Sequence, residues 1–279
     1  MRLADLDPFL RFASPLHYTL NAGTAAVTDC RLFYITEGSA SLQIGGKIYA
    51  LLPGSLFYCC GGSRYAIRAD AGFSLLVLDF DLDRTHADLT LPLPICRDPA
   101  KWAESPIHFT PVEDSTFLNG HLFLADAEVH RAQIDAIIAE FSSADSLGKA
   151  VSAALLKALL LQLHRGAEKA LPPKVSLVRR YMEAHFSEPL TNRDLAALAG
   201  YHEYYLNRVF RAHTGVSLHE YLLQLRLQKA RILLLDPEIP LEGVAEQCGF
   251  GSYPHFSGYF RQICGCSPGK YRQLHRGGI

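Results

Sequence analysis

Two periodicities divide the chain. Over roughly the first 90 residues, apolar positions alternate with polar ones or run together in short stretches, whereas from Arg131 they recur every three to four residues. Arg31–Glu37 is a β-branched and aromatic run. Ala40, Leu42 and Ile44 then alternate with Ser41 and Gln43, and Leu75–Phe80 closes the series. These are the patterns of strands with one or both faces buried. Glu37-Gly38-Ser39, Gly45-Gly46, Pro53-Gly54 and Gly61-Gly62-Ser63 separate the runs as turns, with Gly45-Gly46 a hairpin signal. Short strands with turns every 8 to 12 residues or so predict a small sandwich or barrel.

In the helical part, Ile134, Ile137, Ile138 and Phe141 share one face. Lys149–Arg165 follows, carrying Leu155, Leu156, Leu159, Leu160, Leu161 and Leu163, and is apolar almost all round. Such a helix needs cover on more than one side. Two readings compare closely: a helix buried wholly inside one chain, and a homodimer seam. Ala167–Lys174 contains Pro172-Pro173, which stops a helix and favours extended backbone, so it reads as a linker. The expected division is a sensing and dimerisation domain at 1–166, a linker at 167–174 and a second domain at 175–279.

That second domain contains a duplication. Asp194–Tyr201 resembles Gly243–Phe250 at an offset of 49. Beyond the turn, Leu206, Phe210, Arg211, Gly215, Ser217 and Tyr221 match Phe256, Phe260, Arg261, Gly265, Ser267 and Tyr271 at an offset of 50. Each copy has the parts of a helix-turn-helix. In the first, Thr191 can cap a helix with Asp194 at its third position, Leu195 and Leu198 supply an apolar face, and Gly200 suits a sharp turn. Glu203–His213 then forms a second helix with Leu206, Val209 and Phe210 inward. Tyr204, Asn207, Arg208 and Arg211 fall on its outward face, where Asn suits adenine and Arg suits guanine or phosphate. A solvated polar face would explain one such copy; two copies with matching turn glycines favour a groove reader. Leu218–Leu235 reads as a helix of roughly 27 Å, a rod that can set two recognition helices about one DNA turn apart.

Charge supports the division. From Lys174 onward 13 Lys+Arg stand against 9 Asp+Glu, leaving 14 against 19 in the first part of a chain whose net charge is −1. A basic half beside an acidic half points to a polyanionic partner for one half only. The 279 residues suffice for two cores. The charged start (Arg2, Asp5, Asp7) and the lack of a long uncharged apolar stretch predict a cytoplasmic protein without a membrane span. The seven cysteines include no C-x-x-C pair and read as buried free thiols, with Cys264-x-Cys266 the lesser alternative of a redox or metal pair.

The residues from about Val175 to Arg272 resemble the AraC/XylS-type DNA-binding domain. Gly249-Phe250, Phe256, Phe260, Gly265, Ser267-Pro268 and Tyr271-Arg272 carry the resemblance, with Tyr205–Phe210 in the first motif. More loosely, Gly38, Gly46, Pro53-Gly54 and Asp79-Phe80-Asp81 resemble the family's cupin-like sensor. The resemblance implies an α+β protein: an N-terminal cupin-like β-barrel or sandwich with two following helices, then an all-α tandem helix-turn-helix domain. It implies a transcription regulator, usually an activator, that binds operator or promoter DNA, answers to a small molecule, pairs as a homodimer through N-terminal helices and works with RNA polymerase. One departure stands out: Gly258 occupies the place where the family's second recognition helix usually carries arginine. Expected DNA contacts are therefore His202, Tyr204, Asn207, Arg208 and Arg211 in the first motif, and Ser252, Tyr253, Ser257 and Arg261 in the second.

Enzyme readings fit less well. A metal cupin needs a His-x-His pair ahead of Glu37, and Arg31 and Phe33 stand there instead. A DNA-repair alkyl acceptor would need a zinc-binding cysteine cluster whose spacing is missing. No catalytic residue, metal or cofactor is expected. For an effector pocket the candidates are His17, Arg31, Phe33, Tyr34, Tyr58, Arg64 and Tyr65, joined by Phe57 and Trp102. These rings and arginines suit a sugar or similar polyol, unless the aromatics simply fill the barrel.

Overall fold

The computed structural model describes residues 1–19, 23–88, 95–98, 101, 108, 110–115, 117–143, 147–169, 171–214, 216–264 and 266–274. The chain folds into two compact units, Met1–His164 and Arg165–Ile279.

The first unit is a two-sheet sandwich backed by helices. Strands β1 (Phe9–Tyr18), β2 (Gly23–Ala26), β3 (Cys30–Glu37), β4 (Ala40–Ile44), β5 (Lys47–Leu51), β6 (Leu56–Cys59), β7 (Arg64–Arg68), β8 (Phe73–Asp81) and β9 (His121–Leu124) form antiparallel sheets. Their orders are β1-β8-β3-β6-β9 and β2-β7-β4-β5. Ile44 pairs with Lys47, so Gly45-Gly46 is the two-residue loop of the β4–β5 hairpin.

The five-stranded sheet is buried on both faces, which explains why Arg31–Glu37 reads as a continuous apolar run. Phe33, Ile35, Phe57, Leu75 and Val77 point between the sheets, where Leu42, Ile44, Tyr65 and Ile67 of the second sheet meet them. Their strand neighbours Leu32, Tyr34, Tyr58, Leu76, Leu78 and Phe80 point the other way, onto α1 (Arg131–Phe141) and α2 (Gly148–Lys169).

That second core uses the leucines expected at a dimer seam. Leu156, Leu159, Leu160 and Leu163 are buried, and Leu155 and Leu161 pack against the same cluster. The helix is greasy all round because sheet and helix cover it from several sides within one chain. Val151 and Ala154 remain exposed on its outer surface.

Helix α2 also runs beyond the expected end at Arg165. Ala167, Glu168 and Lys169 form its last turn, where Glu168 pairs with Arg179. Pro173 and Lys174 already belong to α3 (Pro173–His185). The Pro-Pro pair thus opens a helix rather than extending a linker, because the first helical position needs no N–H.

The second unit continues with α4 (Asn192–Ala199), α5 (Glu203–Thr214), α6 (Leu218–Leu233), α7 (Leu241–Gln247), α8 (Tyr253–Cys264) and α9 (Pro268–Leu274). Leu195, Ala196, Ala199, Leu206 and Phe210 pack with Val175, Val178 and Met182 of α3 and Leu218, Tyr221 and Leu222 of α6. Leu198, expected inward, stays 38% exposed; the two alanines take its place. All seven cysteines are free thiols, and Cys264 and Cys266 are buried.

Candidate nucleic-acid interface and effector cavity

Each half of the duplication builds the same frame. In the first, the Thr191 hydroxyl accepts from the Asp194 N–H at 3.2 Å and the Asp194 carboxylate accepts from the Thr191 N–H at 3.0 Å, a closed capping box. The Thr191 hydroxyl also donates to the Asp194 carboxylate at 2.6 Å, and this bond, with that from the Thr191 N–H, holds the Asp194 carboxyl below its usual range. Gly200 then turns the chain with φ +62°, and Gly249 does the same between α7 and α8 with φ +76°. Behind each second helix a phenylalanine meets a tyrosine edge-on: Phe210 and Tyr221 at 5.3 Å, and Phe260 and Tyr271 also at 5.3 Å. The matched pairs are therefore core contacts that fix helix angle. Arg272, another residue of the family resemblance, donates to the carbonyls of Leu234 (3.2 Å) and Ile239 (2.6 Å), tying the end of α6 to the approach to α7.

With the frame set, α5 turns His202, Tyr204, Arg208 and Arg211 outward, and all four are exposed. Tyr204 is 84% exposed, far more than a tyrosine usually is without a partner. Its ring stacks on His202, while the Arg208 guanidinium lies 5.4 Å from the Tyr205 ring. Tyr205, itself half exposed, was missed from the sequence because a one-in-four stripe skips it.

Asn207 departs from expectation. Its Oδ1 accepts from the Leu218 N–H at 3.0 Å, at the start of α6. The first N–H groups of a helix lack internal partners, and Asn207 supplies one. In the second copy Ser257 and Pro268 occupy the corresponding positions, and proline has no N–H to satisfy. Ser252 is likewise engaged: its hydroxyl accepts from the His255 N–H at 3.4 Å at the head of α8. Arg261 is exposed, Tyr253 and Ser257 are half-buried, and Gly258 is exposed with open space beyond it. His255, exposed on the first turn, is an additional polar side chain the sequence pattern did not single out.

The expected effector residues scatter. A cavity of about 340 Å³ in the first unit is lined by Arg31, Phe33 and Tyr65 with Phe12, Leu16, Tyr18, Ile67, Leu75, Val77, Asp79, Ile95 and Arg97 among its neighbours. Tyr34 and Tyr58 sit one strand position away and so face the helices, where their hydroxyls donate to the Glu128 carboxylate and the Leu118 carbonyl. His17 is exposed and bonds the Ser74 hydroxyl at 3.0 Å; Arg64 is absent from the lining. Phe57 packs behind Phe33 at 6.1 Å, and Trp102 lies outside the described residues, as do Gly215 and Gly265 of the duplication.

Two carboxylates on this side of the sheet, Asp29 and Asp79, stand outside the expected effector set. Arg31 reaches Asp29 Oδ1 through Nε (3.3 Å) and Nη2 (3.2 Å), and Asp79 Oδ2 through Nη1 (3.2 Å). Burial raises Asp29, against the pull of Arg31. It pushes the Asp79 carboxyl up to about 7, again against Arg31, with Asp29 adding to the rise. The remaining lining mixes aliphatic and aromatic side chains with Arg97.

Comparison with known proteins gives a consistent picture. The family described as "Helix-turn-helix domain" matches residues 195–274, both motifs and the rod between them. The chain is 27% identical over 255 residues to the transcriptional activator NphR of Rhodococcus sp., covering 86% of this chain and 69% of that protein. It is 34% identical over 106 residues to the HTH-type transcriptional regulator ArgR of Pseudomonas aeruginosa, covering 38% of this chain and only 32% of that protein. A solved transcriptional regulator from Chromobacterium violaceum, titled as having an AraC-type DNA-binding domain, is 33% identical over 38% of this chain and 96% of that one, with a TM-score of 0.36. Two glycine-turned helix pairs thus coincide with the matched helix-turn-helix region in a chain whose relatives regulate transcription, and the protein is a DNA-binding transcription regulator of the helix-turn-helix type.

Proposed function

We propose that α5 and α8 are the DNA-reading helices and that the cavity of the first unit receives the small molecule to which the regulator answers. The observation that carries the first part is the row of exposed Tyr204, Arg208 and Arg211 on a helix whose other face is locked into the core. In this reading α5 reads bases with Arg208, while His202, Tyr204 and Arg211 contact the backbone. Arg261 and His255 serve α8, with Tyr253 and Ser257 beside them. Asn207 and Ser252 act chiefly as helix caps, contrary to their expected role.

The effector reading rests on a cavity in which Arg31, Asp79 and Arg97 are set among aromatic and aliphatic side chains, the usual make-up of a small-molecule site. Its test is a metabolite screen by thermal shift on the full chain and on Val77→Trp, which fills the cavity. At least one compound should stabilise the parent, leave the variant unmoved and change promoter binding by the parent. Compounds that act equally on both proteins would refute this use of the cavity.

The regulator acts without enzymatic chemistry in this reading, in the cytoplasm, and as an activator contacting RNA polymerase; relatives named as transcription regulators support it. A homodimer would use the exposed strip of α2 around Val151 and Ala154 rather than its leucines.

A further inference from the structure

The effector reading can be taken one step further, to the chemistry of the ligand. Asp79 is only 3% exposed, lines the cavity and has one oxygen, Oδ1, without a hydrogen-bond partner. A buried acceptor left this way has lost its water without gaining a donor. Its other oxygen shares Arg31 with Asp29, so one guanidinium serves two carboxylates and the trio is net negative when ionised. Phe12, Phe33, Tyr65, Leu75 and Val77 form an apolar wall beside it. Arg97 is the other cation among the described lining residues.

Resting on the effector reading above, we infer that the ligand carries a protonated nitrogen that docks on Asp79 Oδ1, with a hydrocarbon or aromatic body against the apolar wall. A cation supplies both the missing donor and the missing positive charge. A carboxylate would face Asp79, whose arginine is already engaged, and a neutral hydroxyl would supply the donor without the charge.

The groups facing Asp79 set the pH dependence. Arg31 on β3 favours its ionised form; Asp29, preceding β3, opposes it; and burial holds the carboxyl near 7. Tyr65 on β7 and Cys59 on β6, also close to the trio, are pushed well up by burial and stay neutral, and Asp81 on β8 adds to the rise of Asp29. A cation binds the ionised carboxylate, so its affinity should rise by about tenfold between pH 6 and pH 8 and then level off. An alkylammonium probe keeps its own charge throughout, as a lysine does with a pKa of about 10.

The experiment uses the full chain and three probes of matched size: 2-phenylethylamine, 2-phenylethanol and 3-phenylpropionate, followed by calorimetry. The amine should bind at least about tenfold more tightly than the other two at pH 8 and show the predicted rise with pH. Asp79→Asn should bring the amine down to the level of the alcohol; this variant leaves Arg31 and Asp29 as a balanced pair. The pH series on the unaltered protein reads the same carboxylate without any substitution. Equal or tighter binding of the acid or the alcohol, or an amine affinity that is flat or falls with pH, would overturn the inference while keeping the cavity as a ligand site. Failure of the amine to bind at about 10 mM would also overturn it, and the Val77→Trp screen would then judge the effector reading separately.

Discussion

In the first helix-turn-helix, Gly200 turns the chain in open surroundings: a Cβ there would meet nothing nearer than the end of Lys174, at 3.8 Å. In the second, a Cβ on Gly249 would lie 2.5 Å from the Ser187 carbonyl oxygen. Helix α4 starts with a closed Thr191–Asp194 capping box, whereas α7 starts after Pro240 with no side-chain cap. Helix α5 shows Tyr204, Tyr205, Arg208 and Arg211 on its outer surface, and α8 shows Gly258 in the middle of its own. The duplicated frame is kept by core pairs such as Phe210–Tyr221 and Phe260–Tyr271, while caps, turns and outer faces have diverged. The frame positions a helix; the outer face determines what it reads.

The largest expected effect breaks the apparent equality of the turns. Gly200→Ala forces a left-handed residue at about 1–2 kcal/mol. Gly249→Ala has that strain and a backbone clash, adding about 1–3 kcal/mol. Urea unfolding of the full chain, followed by a probe on the second unit, should show a clearly greater loss for Gly249→Ala. Equal losses would mean that Ser187 moves aside freely and that the two turns are equivalent.

A second prediction sharpens the contrast between outer faces. Arg208→Ala should cost about 1–3 kcal/mol of specific DNA binding. At the matching position a Cβ on Gly258 would meet no heavy atom within 4 Å outside the neighbouring helix backbone, so a side chain can start there without a clash. Gly258→Arg should gain about 1 kcal/mol of helix propensity and tighten DNA binding. A new phosphate contact would steepen the log–log salt slope by about 0.9 on every sequence; a new base contact would help only some half-sites. Weaker binding of Gly258→Arg at all salt concentrations would show that the bare backbone of α8 sits against DNA, and that the second motif is specialised rather than under-equipped.

How far these features could be read in advance depended on the kind of residue. The strand runs, the hairpin at Gly45-Gly46 and the duplicated helix pairs were legible because burial imposes a period on the sequence. The cavity was not: in a sheet buried on both faces, Tyr34 and Tyr58 look the same as Phe33 and Phe57, and alternation no longer says which face is which. Asp29 and Asp79 were overlooked because an aspartate carries no sign of burial by itself, although Asp79 closes the interior row of Leu75 and Val77 in an apolar run. The leucines of α2 misled for a related reason: an all-round apolar helix reports that it is covered, not by what.

The smallest predicted effect tests the reassignment of Asn207, which lies 11 residues from its partner Leu218. The duplication holds the clue: where the first copy has Asn207 and Leu218, the second has Ser257 and Pro268, so the long amide acceptor and the N–H that needs it are lost together. If Asn207 serves the head of α6, Asn207→Ser should lower the stability of the second unit by about 0.5–1 kcal/mol, the value of one capping bond. DNA affinity should fall only slightly and by the same factor on every operator variant. The contrary outcome is distinct: unchanged unfolding, with a loss of affinity confined to sites carrying adenine at one position, would return Asn207 to the groove as a base reader. Paired urea titrations and binding assays on single-base operator variants separate the two. Ser257→Ala supplies the control, since with Pro268 opposite it there is no N–H to leave unsatisfied, and its stability should not change by the same route.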